Sequence, residues 1–236
     1  MSGPSTGTAA LRELASSGAA ELGFDAASED VLAWVARHFS TAEAAVACSM
    51  ADAVLPHLVS GTLPGIDVLF LDTGYHFAQT LDTRDEVARS LEVNVVDVRP
   101  EQGVADQDAT EGRDLFATDP GRCCALRKVD PLNRALAGYR LWFTGVRRDE
   151  APTRTNTPLV DFDEAHSLVK VNPLAGWSAK ELNDYSTRNR LPRNVLLDQG
   201  YPSIGCRPCT GKVAPGEDPR AGRWSGQTKT ECGIHV

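Results

Sequence analysis

Six cysteines carry most of the chemical information in this 236-residue sequence: an adjacent pair, Cys123-Cys124; a C-x-x-C, Cys206-Arg-Pro-Cys209; and two singles, Cys48 and Cys232. Alone, the C-x-x-C reads as a structural zinc knuckle or a redox-active dithiol. The dithiol usually sits between a strand and a helix, whereas this one follows Gly200-Tyr-Pro-Ser-Ile-Gly205. The two pairs together supply four thiolates, enough to close a zinc site or a cubane cluster. Adjacent residues have Cα atoms about 3.8 Å apart, so two neighbouring sulfurs reach one small ion only under strain. A cubane gives each sulfur its own iron, and the spacing favours 4Fe–4S. Cys232 is left over, in Lys229-Thr-Glu-Cys-Gly-Ile-His-Val236, with Arg220 and Arg223 upstream. Cationic neighbours stabilise a thiolate, and the thiolate is the nucleophile. Cys48 ends an apolar run and reads as a packing residue.

The formal net charge of −8 makes the chain a poor generic binder of nucleic acid. Cations nevertheless cluster near the cysteines. Arg122, Arg127 and Lys128 form one group and Arg147 with Arg148 another; Arg207 to His235 holds five Lys or Arg against three Asp or Glu. Such an arrangement suits a small anionic ligand. An even cysteine count in an intracellular chain points to metal or redox chemistry rather than disulfides. No apolar run is long enough to span a bilayer, and the first residues lack a signal-peptide pattern. The expectation is a cytoplasmic enzyme.

The elements that position these residues alternate. Residues 25–39 form an amphipathic helix with Val31, Leu32, Val35 and Phe39 on one face. Apolar runs at 44–49, 67–72, 94–98, 141–146 and 168–174 read as strands. Helical patterns lie near 51–60, 77–91 and 121–138. Asp119-Pro120 would cap and open the last of these, and Pro131 would kink or end its first segment. Ser178-Ala-Lys-Glu181 is a capping box for a helix to about Arg190. The pattern predicts an α/β fold, a parallel sheet with helices on both faces. Residues 1–210 form the body, with 1–43 a helical leader of which 1–23 pack weakly, and residues 211–236 a flexible C-terminal segment carrying Cys232. Ligands bind beyond the carboxyl ends of such strands. Cys48-Ser49-Met50-Ala51-Asp52, Asp72-Thr73-Gly74-Tyr75 and Thr144-Gly145-Val146-Arg147-Arg148 would rim a nucleotide crevice there.

The stretches LDTGYHFAQT, CCALRKVDPL, TGVRRDEAPTR, VNPLAGWS, GYPSIGCRPCT, GRW and KTECGIH run in order over roughly residues 44–236. Together they resemble the assimilatory sulfonucleotide reductases, specifically the iron–sulfur branch that acts on adenosine 5′-phosphosulfate (APS). The resemblance implies a three-layer, Rossmann-like fold of the adenine-nucleotide alpha-hydrolase type. It also implies a 4Fe–4S cluster on Cys123, Cys124, Cys206 and Cys209. Cys232 would attack the sulfur of APS, giving an S-sulfocysteine and AMP, and thioredoxin or a similar dithiol would then release sulfite. This places the chain in sulfate assimilation and cysteine biosynthesis. By position, Lys128, Arg220, Arg223 and His235 would surround the phosphosulfate. Leu71 and Gly145 would meet the adenine through their backbones, Arg154 would lie near the ribose, and Ser49 and Asp52 fall in a degenerate phosphate loop.

That loop reads CSMADA here, without the Gly and Lys of ATP-splitting relatives, which argues against ATP cleavage. The competing substrate is 3′-phospho-APS, whose reductases usually lack the cluster cysteines. The competing class is a zinc-stabilised nucleotide-binding module, which leaves Cys232 unexplained.

Overall fold

Short, nearly continuous apolar runs form the central strands, buried on both faces, and apolar stripes at helical spacing cover them. The computed structural model describes residues 4–226, 229 and 231–234. In chain order the elements are α1 (Pro4–Leu22), α2 (Ser28–His38), β1 (Ala44–Ala47), α3 (Val54–Ser60), β2 (Ile66–Leu71), α4 (Ala78–Ser90) and β3 (Val93–Val98). There follow α5 (Val104–Glu111), α6 (Leu115–Thr118), α7 (Pro120–Cys124), α8 (Asp130–Leu136), β4 (Leu141–Phe143), β5 (Val160–Asp163), β6 (Leu168–Val171) and α9 (Ala179–Arg188).

The strands form one sheet in the order β3-β2-β1-β4-β6-β5. All neighbouring pairs are parallel except β5 with β6. The α/β layering follows the sequence expectation, with one correction: the sheet has an antiparallel edge. Val160-Asp-Phe-Asp163 is only four residues long, too short an alternation to stand out, and it returns to β6 through a turn at Ser167 with φ 58°.

Both faces are covered. On one, Val46, Val68, Phe70 and Phe143 pack with residues of α2 and α3; on the other, Ala45, Leu69 and Trp142 meet Leu132 and Leu136 of α8. Phe70 and Phe143 are fully buried, each worth about 1.5–3 kcal/mol of transfer free energy. The leader packs more closely than its sequence suggests. Leu11 and Ala15 of α1 are buried, and Gly18 lies so close to Trp34 that a Cβ would sit 2.4 Å from its ring.

Two local readings hold in atomic detail. The Ser178 hydroxyl accepts from the Glu181 amide at 3.2 Å, and Glu181 accepts from the Ser178 amide at 2.7 Å. Asp119 Oδ1 accepts from the Arg122 amide at 2.9 Å, with Pro120 in the first turn of α7. Pro131 does more than end a segment. It has no N–H to offer the Arg127 carbonyl, and its ring would crowd that group. The chain widens into a π-helical turn over Ala125–Val129, in which the Asp130 amide bonds the Ala125 carbonyl five residues back. Such turns often mark functional sites, and this one carries Arg127 and Lys128 between the paired cysteines and α8.

Strand order reverses at β1. From it the chain runs outward through β2 and β3, then returns to add β4 on the other side. This switch point leaves a crevice beyond the carboxyl ends of β1 and β4.

Candidate functional site

A cavity of about 540 Å³ opens at that switch point, a size suited to a nucleotide-sized ligand. Ala47 to Ser49, Ala51 and Asp52 at the end of β1, Leu71 and Thr73 at the end of β2, and Gly145 to Arg147 with Asp149 and Glu150 after β4 form its floor and walls. Lys128, Arg154, Arg220, Arg223, Glu231 and Cys232 close over it from later parts of the chain. Sequence elements up to 185 residues apart thus meet in one basin, as the parallel topology requires.

The structure brings Leu71, Gly145, Ser49, Asp52, Lys128, Arg154, Arg220, Arg223 and Cys232 to this cavity. Asp52 is partly committed elsewhere: its Oδ1 accepts from the Val54 amide at 2.9 Å, and burial pushes its carboxyl above the usual range. The Cys48 sulfur accepts from the Met50 amide at 3.4 Å and packs against the core, and burial pushes this thiol up to about 12. His235 lies outside the described residues.

The other basic groups divide. Arg147 lines the cavity, paired with Asp149 and Glu150. Arg148 instead ties the site loop to the leader, bonding Asp25 at 2.9 Å and stacking on Phe24 at 3.4 Å. Arg122 pairs with Glu111. Buried Arg127 is structural: its Nε donates to the Thr73 carbonyl and its Nη1 to Gln107 Oε1 at 2.9 Å.

Cys123, Cys124, Cys206 and Cys209 line a second, smaller pocket beside the first, with Tyr75, Phe116 and Trp224. Lys128, Cys206 and Trp224 line both and form the wall between them. Among the described residues no three His, Cys, Asp or Glu side chains form a group able to hold a metal ion. The donor set nevertheless fits an iron–sulfur cluster: four soft sulfurs, mostly buried, in an aromatic surround. Burial and then the neighbouring cysteine sulfurs push Cys123 up to about 12, and the same two causes push Cys209 up to about 11. Thr73 Oγ1 lies 3.3 Å from Cys206 Sγ, within reach of a hydrogen bond to that sulfur.

Lys128 faces this group and the cavity together. Burial opposes its charge, but the sulfurs of Cys206 and Cys232 more than offset that, and it stays above the usual lysine range. Arg223 is pressed downward by burial and by Arg220 beside it. Its guanidinium stacks on Trp224 at 4.5 Å and approaches Gly205 so closely that a Cβ there would sit 2.3 Å away. The main chain of 209–224 is tied back: the Gly211 amide bonds the Gly222 carbonyl at 2.7 Å, the Trp224 amide bonds the Cys209 carbonyl at 3.1 Å, and Thr210 bridges Arg223.

Sequence reasoning gave no role to Glu231, Glu150, Trp224 or His76, all of which line the cavity. The position of Glu231 beside Cys232 was a usable signal; the other three meet the site only through the fold.

Comparisons place this geometry among known proteins. A model of the phosphoadenosine phosphosulfate reductase domain matches residues 43–212. A protein of Rhodococcus opacus (strain B4) named adenosine 5′-phosphosulfate reductase is 54% identical over 235 residues, covering 96% of this chain and 95% of that one. A protein of the same name from Mycolicibacterium smegmatis is 55% identical over 226 residues, covering 96% and 95%. Among solved structures, a phosphoadenylyl-sulfate reductase from Candida auris, in complex with phosphate, superposes with a TM-score of 0.65 at 25% identity, covering 79% of this chain and 90% of that one. An FMN adenylyltransferase from Candida glabrata, at 12% identity and a TM-score of 0.55, shares the fold.

Proposed function

The chain belongs to the phosphoadenosine phosphosulfate reductase family, and from that premise we propose that it reduces adenosine 5′-phosphosulfate to sulfite and AMP. The observation that carries this reading is one basin where a free cysteine, Cys232, meets Lys128, Arg220 and Arg223 beside four further cysteines. The Cys232 thiolate attacks the sulfate sulfur. A sulfur–sulfur bond forms, the sulfur–oxygen bond to phosphate breaks, and AMP leaves with the electron pair. A dithiol protein such as thioredoxin then attacks Cys232 Sγ; sulfite departs, and the second thiol resolves the mixed disulfide. The dithiol loses two electrons and Cys232 returns to the thiol. Close relatives carrying the APS reductase name support the substrate.

The cations act on developing charge. Negative charge grows on the bridging oxygen as AMP leaves, so Lys128, Arg220 and Arg223 stabilise the transition state more than the ground state. Arg154 holds the ribose side, the Leu71 and Gly145 backbones hold the adenine, and Ser49 and Asp52 flank the phosphate. His235, which lies outside the described residues, is assigned to the phosphosulfate by the family resemblance alone. A 4Fe–4S cluster on Cys123, Cys124, Cys206 and Cys209 would supply fixed charge beside Lys128. Residues 1–210 form the body, and the segment from 211 to 236 carries Cys232, which has to meet first the nucleotide and then the dithiol donor. Such chemistry belongs to a cytoplasmic, reducing compartment; among the described residues no helix is long and apolar enough to cross a membrane.

The test is direct. Anaerobically purified protein given APS and reduced thioredoxin should release sulfite and AMP one to one; no sulfite would refute the reading. The Candida auris protein is named for the 3′-phosphorylated nucleotide, so both nucleotides at equal concentration form the second arm. APS should be consumed first, and preference for 3′-phospho-APS would reassign the substrate. Lys128→Ala should lower kcat about 100-fold, the usual cost of losing one aimed donor. Turnover within twofold of wild type would remove Lys128 from the chemistry.

A further inference from the structure

Glu231 immediately precedes the proposed nucleophile, and its carboxylate is heavily engaged. Arg154 grips it with two donors, Nε to Oε1 at 3.1 Å and Nη2 to Oε2 at 2.9 Å. Arg220 adds Nη2 to Oε2 at 3.0 Å. All three side chains are largely out of solvent, at 13%, 16% and 19% exposure for Arg154, Arg220 and Glu231. Screening by salt and the entropy cost that weaken surface ion pairs are reduced in such a setting, and the forked geometry fixes direction as well as distance. The Arg154 fork is itself steadied by Glu150, which takes Nη1 at 2.6 Å.

A second anchor lies on the other side of Cys232. Ile234 packs against the apolar cluster that contains Leu69, Leu132 and Trp142. Gly233 between them turns at φ +89°, a conformation that favours glycine, and lies close to Val129 of the π turn. Cys232 is therefore held from both sides, with an ionic grip before it and an apolar one after it, at the cavity wall beside Lys128.

We infer that Glu231 is a positioning residue: its carboxylate, clamped by Arg154 and Arg220, sets Cys232 over the nucleotide cavity. It does not touch the reacting atoms. It fixes the approach of the neighbouring sulfur, and it uses Arg220, which the incoming anion also needs, together with Arg154 on the ribose side. This rests on Cys232 being the nucleophile.

The experiment reads docking separately from chemistry. In the full-length protein, Cys232 is alkylated with iodoacetamide, an uncharged reagent, and the rate is followed by peptide mass spectrometry at low and high salt. Glu231→Gln keeps the size of the side chain and removes its charge. Its Cys232 should react about fivefold faster than wild type, as expected for loss of a part-buried ion-pair network. The wild-type rate should rise with salt, the Gln variant's should not, and Glu231→Asp should lie between them. With APS and thioredoxin, kcat of Glu231→Gln should fall about tenfold while KM stays level or drops, because orientation is lost and the Glu231 carboxylate no longer competes with the nucleotide for Arg220. Equal alkylation rates and equal salt dependence in wild type and Glu231→Gln would overturn the inference. Failure of wild type to gain a sulfonate on Cys232 from APS would instead sink the nucleophile assignment and leave the docking measurement readable.

Discussion

Cys232→Ser is expected to bind APS with wild-type affinity and to release sulfite at least on the order of 10⁴-fold more slowly, the scale of loss when a nucleophile is removed. The substitution changes one atom. Serine fits the same space, so the Glu231 clamp and the Ile234 contact survive and the tail still docks. The cations that bind the anion are untouched. What disappears is a polarisable thiolate: the serine hydroxyl stays protonated near neutral pH and is a poor nucleophile toward sulfur. Isothermal titration with APS and a sulfite assay separate the two effects. Turnover within tenfold of wild type would show that another group attacks; Cys48 is the poorer candidate, because burial pushes its thiol up and disfavours the thiolate.

Cys124→Ser, and equally Cys123→Ser, Cys206→Ser or Cys209→Ser, should strip iron from the anaerobically purified protein and abolish its broad visible absorption. Each removes one of four sulfurs that share a pocket. Cluster binding is coupled to folding, so a loss of a few kcal/mol should lower Tm by roughly 5–10 °C. Cys48→Ala is the control: its sulfur lies in the nucleotide cavity and outside the cysteine pocket, so iron should be retained. Full iron in any of the four variants would remove that residue from the ligand set, and zinc in place of iron would replace the cluster with a structural ion.

The chain showed its chemistry more readily than its shape. Cys123-Cys124, the C-x-x-C and the ECG-x-H tail are local strings, so their likeness to a family could be read without a fold. The strands β1, β2, β3, β4 and β6 were legible because their apolar runs are bounded by turns and caps, and the Ser178 capping box predicted its own bonds. Four residues of β5, with charges at two of them, gave too little periodicity to mark an edge strand. The packing of α1 was hidden because Gly18, which lowers helix propensity, is there for close approach to Trp34. The π turn at Ala125–Val129 came from Pro131 acting backward on the preceding residues, an effect that helix patterns do not encode. Basic clusters in the sequence overstated the anion site. Arg122, Arg127 and Arg148 are consumed by Glu111, Gln107 and Asp25, and only tertiary structure separates them from Lys128, Arg220 and Arg223.

The central claim is that the sulfur of Cys232 takes the sulfonate group from the nucleotide. Mass spectrometry of the intact, fully reduced protein after mixing with APS, with no thiol donor present, tests it in one step. The account predicts a gain equal to one SO₃ group, localised to the peptide containing Cys232, formed together with one AMP and discharged as sulfite when a dithiol is added. An unmodified Cys232 alongside released AMP, or a sulfonate on any other residue, would contradict it.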